Sequence, residues 1–306
     1  MSTLPVVVAV DGSEHSLRAL DWALDAARRR GAPLRVAHVR HHVAWTPPGA
    51  PVVVPPPADD DPVLADARAR VEAAGTAGTT GAGPSAQYLA LDGAPGALLP
   101  ELGAEAQLLV LGSRGRGGFA GLLLGSNGMT AARDAECPVV IVPPPGREVD
   151  DLLPSEPGAR VVVGLKADAP DDATLALAFA EAALRDARVQ VIAAYPWPIQ
   201  TWVAPGDLVL PVYDQDAVEH ETRTLADGFL TTHRTRHPEV PVEVRPAPGD
   251  AAGLLVAASK NADLVVVGRH RRRLLAPARM LGSVTHAVLL HAASPVAVIP
   301  PAAAEE

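Results

Sequence analysis

Two tandem α/β domains, each built on an open, doubly wound parallel sheet, are predicted from three features of this 306-residue chain. The length corresponds to about two domains of roughly 100–200 residues each. The strand candidates, such as 6–10 and 108–111, are uninterrupted apolar runs, which are typical of parallel strands covered by helices on both faces. Between these runs, apolar residues recur at helical spacing, as at Leu17, Leu20 and Leu24, so strands and helices alternate.

The same pattern occurs twice along the chain, which indicates a tandem duplication. The apolar run 6–10 recurs at 161–165, and the last apolar run of the first half, 138–143, recurs at 295–300. Both copies of this last run have proline at each end. Because proline cannot donate a hydrogen bond to a neighbouring strand, this arrangement is typical of an edge strand.

The repeats place a first domain at residues 1–145 and a second at 160–306, joined by a linker rich in proline and acidic residues. We expect the halves to pair through their last strands as an intramolecular pseudo-dimer, and self-association into a homodimer stays open. The stretch 46–62 is rich in proline and long for a connection between a strand and a helix. It is a lid, a partner surface or, as we favour, a solvated loop.

Composition and charge exclude several classes of protein. A net charge of −9 and a pI near 5.6 argue against a nucleic-acid partner. The single cysteine, Cys137, excludes a disulfide framework and a cysteine-only metal site. No apolar run approaches the ~20 residues that span a bilayer, and no secretory signal is visible. We therefore expect a cytoplasmic protein with no membrane partner.

A glycine-rich segment after the fourth strand predicts phosphate binding. It reads Gly-Ser-Arg-Gly at 112–115, and Gly-Ser follows at 125–126. In an open α/β sheet, ligands lie beyond the carboxyl ends of the strands, where the strand order reverses. Glycines there let backbone N–H groups approach phosphate oxygens, and the helix that begins at Ser126 adds its positive dipole end.

Two better-known phosphate motifs do not explain this segment. The pattern Gly-x-x-x-x-Gly-Lys-Ser/Thr is absent from the sequence, so a Walker-type NTPase is not supported. Residues 115–120 fit the dinucleotide pattern Gly-x-Gly-x-x-Ala, but they follow the fourth strand instead of the first and lack a suitable acidic residue downstream. We interpret this fit as a chance match.

With Asp-Gly-Ser at 11–13 and the spaced glycines at 112–126, the chain resembles the universal stress protein family. The resemblance covers residues 5–143 and 160–300, in the tandem form common in high-GC actinobacteria. It implies a Rossmann-like fold of the adenine nucleotide α-hydrolase type that binds ATP, with Mg²⁺ at the phosphates.

The resemblance also implies roles for nine residues. Asp11 would meet the ribose and phosphate region, and the backbone at Ala9 and Val39 would border the adenine. The residues implied around the phosphates are Gly112, Arg114, Gly115, Gly125, Ser126 and Asn127.

The second half departs from the family pattern. Lys166 stands where Asp11 stands in the first half, and Arg271 replaces the second glycine of the signature. A larger side chain hinders close approach of the backbone to phosphate, so we predict weak or no ATP binding in this half. The basic run 269–273 is a solvated loop, a site for a different anion, or a contact to the other half.

Other candidate sites are weaker. Asp11, Ser13 and His15 are the residue types of a catalytic triad, but a strand-to-helix turn rarely directs three such side chains to one centre. A helix cap and a ribose contact fit them better, and we expect Cys137 to be a buried, inert thiol. Two histidine groups could bind zinc but lack a neighbouring acidic or cysteine ligand. They are His38, His41 and His42 after the second strand, and His233 and His237 on a predicted helix.

The function that these features favour is ATP binding in stress response or regulation, with the nucleotide held mainly by the first half. No general base or nucleophile stands apart from the binding residues, so we expect no enzyme, or at most a slow ATPase. The alternative is a protein-interaction scaffold that binds no nucleotide.

Overall fold

The computed structural model describes residues 3–40, 57–76, 83–116, 123–149, 157–166, 170–195, 214–269 and 281–301. The first half contains β1 (Val6–Ala9), α1 (Glu14–Arg30), β2 (Leu34–Arg40), α2 (Pro62–Thr76), β3 (Ala86–Asp92), α3 (Pro95–Gly103), β4 (Leu108–Gly112), α4 (Ser126–Asp134) and β5 (Val139–Val142). The second half contains β6 (Arg160–Gly164), α5 (Asp172–Arg185), β7 (Arg188–Tyr195), α6 (Gln215–Arg236), β8 (Val242–Pro248), α7 (Ala251–Ala258), β9 (Leu264–Gly268), α8 (Ser283–His291) and β10 (Val296–Ile299). The alternation of strands and helices confirms the predicted α/β class.

The described strands form a single ten-stranded sheet in the order β3-β2-β1-β4-β5-β10-β9-β6-β7-β8. Strands within each half are parallel to their neighbours. The halves meet where β10 pairs antiparallel with β5, and Ala297 lies opposite Val140. The predicted pseudo-dimer through the last strands is therefore confirmed, and each half keeps the doubly wound strand order.

The prolines around the last strands predict an edge strand, but neither strand is a free edge of the full sheet. β5 and β10 each form the edge of their own half, but together they occupy the centre of the full sheet. Both strands lie between the prolines, so the paired residues all keep their backbone N–H groups. The prolines limit the length of the ladder without preventing it.

Aliphatic side chains pack on both faces of the sheet in two core clusters. In β1, Val6 and Val8 contribute to one cluster and Val7 to the other, as the alternation of a strand requires. The first cluster includes residues of α1, α2, α5 and α6, and the second includes residues of α3, α4, α7 and α8. No helix in the described ranges combines the length and apolar character needed to cross a membrane.

A buried ion pair joins the halves on the face covered by α1 and α5. The carboxylate of Glu181 on α5 binds Arg30 of α1 and Arg185 of its own helix, and its side chain is only 1% exposed. Arg29 of α1 also donates to the carbonyl oxygen of Leu184, at 3.3 Å. The two halves are therefore connected by side chains as well as by the sheet.

Candidate functional site

A cleft of about 510 Å³ lies at the carboxyl end of the first-half strands. β1 stands between β2 and β4 in the sheet, so the strand order reverses at this point, where open α/β sheets bind ligands. The nine residues predicted from the sequence all line this cleft. They are Ala9, Asp11, Val39, Gly112, Arg114, Gly115, Gly125, Ser126 and Asn127.

The cleft also contains residues that the sequence analysis missed. Pro95 and Leu99 of α3 and Leu111 of β4 form part of its apolar wall. The repeat offered a signal, because Gly93 with Leu98 and Leu99 recurs as Gly249 with Leu254 and Leu255. That signal indicated a shared structural element but did not indicate which helix faces the cleft.

Asp11 is fixed as a hydrogen-bond acceptor at one side of the cleft. Its Oδ1 accepts from the backbone N–H of Ser13 at 3.0 Å, and its Oδ2 accepts from that of Arg116 at 2.9 Å. Burial raises the pKa of the Asp11 carboxyl, but hydrogen bonds from Ser13, Arg116 and Ser16 outweigh burial and hold this pKa below its ordinary value. Asp11 is therefore a carboxylate at neutral pH.

Two glycines allow the loop after β4 to lie against the start of α1. A Cβ at Gly112 would come within 2.5 Å of the carbonyl carbon of His15, and a Cβ at Gly115 would collide with Oδ2 of Asp11. Any side chain at either position would push the loop away from α1. The spacing of these glycines therefore has a steric reason in this chain.

The first turn of α4 supplies backbone donors to the cleft. The N-cap residue, Gly125, has no side chain to cap the helix, and its own N–H donates to the carbonyl oxygen of Ser113 at 2.8 Å. Because the first N–H groups of a helix have no partner within the helix, those of Ser126, Asn127 and Gly128 are suited to an anion.

Cationic side chains add to the positive potential around the cleft. Arg114 and Arg116 line it. Burial, and then the charges of Arg18 and Arg114, lower the pKa of the His15 imidazole. Burial, and then the charge of Arg114, lower the pKa of Arg147. The positive charge of Arg114 thus disfavours protonation of two neighbouring basic groups, and the same charge would attract a nearby phosphate.

The residue types of a triad are present, but their side chains serve other purposes. The Ser13 hydroxyl caps α1 by accepting from the backbone N–H of Ser16 at 3.2 Å. His15 Nδ1 lies 2.8 Å from an Arg18 nitrogen and 3.4 Å from the hydroxyl of Ser113. This geometry favours the helix cap over nucleophilic catalysis.

The histidines considered as zinc ligands have acidic partners that the sequence analysis did not find. His38 Nδ1 lies 2.9 Å from Asp61, and His233 Nε2 lies 3.0 Å from Asp172. His41 and His42 lie outside the described residues. Within the described part of the chain, no three His, Cys, Asp or Glu side chains cluster as a metal site would require.

The Cys137 thiol is buried, as expected. Burial raises its pKa to about 11, so it stays protonated at neutral pH. This environment is that of a structural cysteine.

The corresponding region of the second half carries different charges. Lys166, at the position equivalent to Asp11, is exposed. Gly268 ends β9, and a Cβ added to it would lie 2.6 Å from Oδ2 of Asp171. The residue of the first half that corresponds to Asp171 is Ser16, which carries no charge. The second half therefore has a carboxylate beside the glycine that ends its fourth strand, where the first half has a serine. Arg271 lies outside the described residues.

Comparisons with known proteins agree with this architecture. The chain matches the universal stress protein family over residues 3–143 and again over 159–300. Universal stress protein Rv2005c of Mycobacterium tuberculosis is 34% identical over 297 residues, covering 96% of each chain. Universal stress protein Rv2623 of the same species is 30% identical over 309 residues, covering 97% of this chain and 96% of that protein.

A solved structure has the same fold over the full length. The crystal structure of a universal stress protein from Archaeoglobus fulgidus covers 98% of this chain and 99% of its own, with a TM-score of 0.63 and 18% identity. Such low identity supports the fold alone, whereas the two family matches and the mycobacterial relatives establish descent. This chain therefore belongs to the universal stress protein family and carries two domains of that family in tandem.

Proposed function

We propose that the cleft of the first half binds ATP, with Mg²⁺ at the phosphates, and that the chain regulates a cytoplasmic stress response through this binding. The observation that carries the proposal is the convergence of nine residues around one cleft, from the ends of β1, β2 and β4, the loops that follow β1 and β4, and the start of α4. A volume of about 510 Å³ lies within the ~300–1,000 Å³ range typical of small-molecule sites.

The lining of the cleft offers a separate surface to each part of the nucleotide. The apolar wall, with Val39, Leu99 and Leu111, suits a flat base beside the backbone of Ala9. The ionised carboxylate of Asp11 would accept hydrogen bonds from ribose hydroxyl groups.

The phosphates would meet backbone donors and the cationic side chain of Arg114. The glycines at 112 and 115 permit close backbone approach, and the uncapped first turn of α4 presents N–H groups to an anion. The guanidinium of Arg114 would add charge-assisted hydrogen bonds. The loop after β4 and the start of α4 are adjacent, since the N–H of Gly125 donates to the carbonyl oxygen of Ser113 at 2.8 Å, so a polyphosphate chain fits these groups better than a single carboxylate does.

Mg²⁺ fits this site as a partner of the phosphates. Within the described lining, Asp11 supplies the one carboxylate. Mg²⁺ is commonly bound through one or two carboxylates together with substrate phosphates, and it keeps several waters. The ion would neutralise phosphate charge and be held chiefly by phosphate oxygens and waters, because both oxygens of Asp11 already accept backbone hydrogen bonds.

Binding without efficient hydrolysis is the activity that the site chemistry favours. Asp11 accepts hydrogen bonds on both oxygens and has a lowered pKa, so it is a weak base. Ser13 is engaged as a helix cap. A slow ATPase therefore remains the upper limit of our proposal.

The test is the nucleotide content of the purified protein. The full chain is purified without a tag and denatured, and the released nucleotide is quantified by chromatography; the emptied protein is then titrated with ATP and Mg²⁺. About one ATP per chain supports a site in the first half only. About two per chain would contradict the weak second half, and no binding in either assay would favour the protein-interaction scaffold.

A further inference from the structure

The helix that begins at the cleft ends against the other half of the molecule. Arg269, the first residue after β9, extends its Nη1 to the carbonyl oxygens of Ala132, at 3.3 Å, and of Arg133. These carbonyls belong to the last turn of α4, where helix carbonyls have no partner within the helix. The second half therefore caps the C-terminus of the helix whose N-terminus lines the first-half cleft.

The arrangement is reciprocal between the halves. Arg147, which follows β5, donates through its Nη1 to the carbonyl oxygens of Leu290 and Ala292, both at 2.8 Å. These residues end α8, which occupies the place of α4 in the second half. Each of these two helices is thus held at its C-terminal end by an arginine from outside its own half, Arg269 for α4 and Arg147 of the linker for α8.

Arg269 is well anchored for this purpose. Its backbone N–H donates to the carbonyl oxygen of Ile299 on β10 at 2.8 Å, so its main chain is fixed to the centre of the sheet. In the first half the equivalent residue is Ser113, which is too short to reach the opposite half and instead lies beside His15. The contact to α4 therefore depends on the sequence of the second half.

A cap at the C-terminus of α4 affects the position of its N-terminus because the helix is short. α4 has only nine residues, and so short a helix is marginal by itself; its position depends on tertiary contacts. A cation at the C-terminus also complements the helix dipole. Loss of the cap would let α4 fray and shift, and the N–H groups of its first turn would no longer be held in place for an anion.

We propose that Arg269 is a positioning residue for the ATP site of the opposite half, acting through α4. This inference rests on the proposed ATP binding and assigns the second half a role in it. The basic run that begins at Arg269 had three interpretations, and this contact supports the one in which it reaches the other half. A half with a degenerate signature would then be retained because the first site needs it.

The experiment compares three variants of the full chain by ATP titration calorimetry. Arg269→Met removes the cation but keeps the length of the side chain, and Arg269→Lys restores a cation. Arg29→Met is the matched control, because Arg29 also donates across the halves to a carbonyl near a helix C-terminus, that of Leu184 at 3.3 Å, on the opposite face of the sheet. Affinity is measured where circular dichroism shows all variants folded.

We expect Arg269→Met to weaken ATP binding by about three- to tenfold. Arg269→Lys should recover most of the affinity, and Arg29→Met should stay within about twofold of the unmodified chain. Without nucleotide, amide hydrogen exchange across residues 126–134 should accelerate in Arg269→Met and not in Arg29→Met. A general loss of stability would not separate the variants in this way.

Two results would overturn the inference. Unchanged ATP affinity in Arg269→Met would remove the positioning role while leaving the proposed ATP site intact. An equal loss in Arg29→Met would show that any contact between the halves has the same effect. If the unmodified chain binds no ATP, the proposed function itself fails, and that outcome is visible before any variant is compared.

Discussion

Asp11 and Lys166 follow the first strand of their respective halves and place side chains of opposite charge at equivalent positions of the two sheet edges. In the first half, the carboxylate of Asp11 is satisfied by backbone N–H groups, and glycines bring the phosphate loop close. In the second half, an exposed lysine and the carboxylate of Asp171 beside Gly268 replace that arrangement. The duplicated scaffold has kept its strands and changed its loops, which are the parts that carry function in α/β proteins.

The difference between the halves does not make them independent. The sheet is continuous through β5 and β10, Glu181 joins α1 to α5, and arginines cap helices across the boundary. A molecule built in this way can lose a second binding site and still need the second half. The strongest tests of this difference between the halves therefore either break a contact that joins them or damage one site alone.

The largest expected effect comes from breaking the ion pair between the halves. Glu181→Met would leave Arg30 and Arg185 without their buried counter-charge. Burial lowers the pKa of both guanidiniums, that of Arg185 to about 10, which shows how poorly this region solvates a cation. Because removing one partner of a buried pair leaves an uncompensated charge, we expect about 3–5 kcal/mol less unfolding free energy in urea titrations.

Glu219→Met is the control for this substitution. Glu219 pairs with Arg223 on the surface of α6, where both side chains are well exposed, so its loss should cost less than ~1 kcal/mol. Equal effects of the two substitutions would contradict the role of Glu181. A separate unfolding step for each half in the unmodified chain would show that the halves are not one cooperative unit.

The next largest effect is confined to the first half. Gly115→Glu places a Cβ against Oδ2 of Asp11 and adds a carboxylate to the loop proposed to hold the phosphates. Sterics and like charge act together, so we expect ATP affinity to fall by at least about a hundredfold, equivalent to ~2.7 kcal/mol, and co-purified nucleotide to disappear. Titration calorimetry and nucleotide release measure both quantities.

Gly228→Glu is the matched control, because Gly228 lies on an exposed part of α6 with no atom near its added Cβ. It should leave ATP binding unchanged. Full nucleotide content in Gly115→Glu would mean that the second half holds the nucleotide, which would reverse the comparison of the halves.

The sequence was sufficient for the fold because the fold depends on periodic and repeated features. Continuous apolar runs predicted the parallel strands, and their recurrence predicted two units paired through their last strands. The continuous sheet was harder to foresee, since the prolines around β5 and β10 were typical of edges. Proline excludes pairing only at its own position, so a ladder of three residue pairs between β5 and β10 fits between the prolines.

The site was predictable where a motif describes backbone geometry and not where it depends on distant side chains. The glycines and Asp11 lie around one cleft because β1 and β4 are parallel neighbours whose carboxyl ends meet at the same edge of the sheet. The pairs His38–Asp61 and His233–Asp172 and the contact of Arg269 with α4 join residues far apart in sequence. Such contacts leave no periodic signal, and only tertiary packing determines them.

The smallest expected effect distinguishes the histidine–aspartate pairs of the two halves, which have opposite burial. In the first half Asp61 is buried, with 1% of its side chain exposed, and its Oδ1 also caps α2 by accepting from the N–H groups of Val63 and Leu64. In the second half His233 is buried and Asp172 is 82% exposed. Asp61→Ala should therefore cost about 1–2 kcal/mol, as loss of a helix cap does, and Asp172→Ala less than ~1 kcal/mol.

The dependence of this difference on pH identifies its origin. Burial raises the pKa of Asp61, but the hydrogen bond from His38 and the backbone N–H groups outweigh burial, so its folded pKa lies below the ordinary value of 3.8. A depressed folded pKa stabilises the protein above the unfolded pKa, and this contribution is lost as pH falls through the folded value. The advantage of the unmodified chain over Asp61→Ala should thus persist from neutral pH to about 4 and shrink below it. A difference that already vanished at pH 6 would show that the Asp61 carboxylate is not the source of the stabilisation.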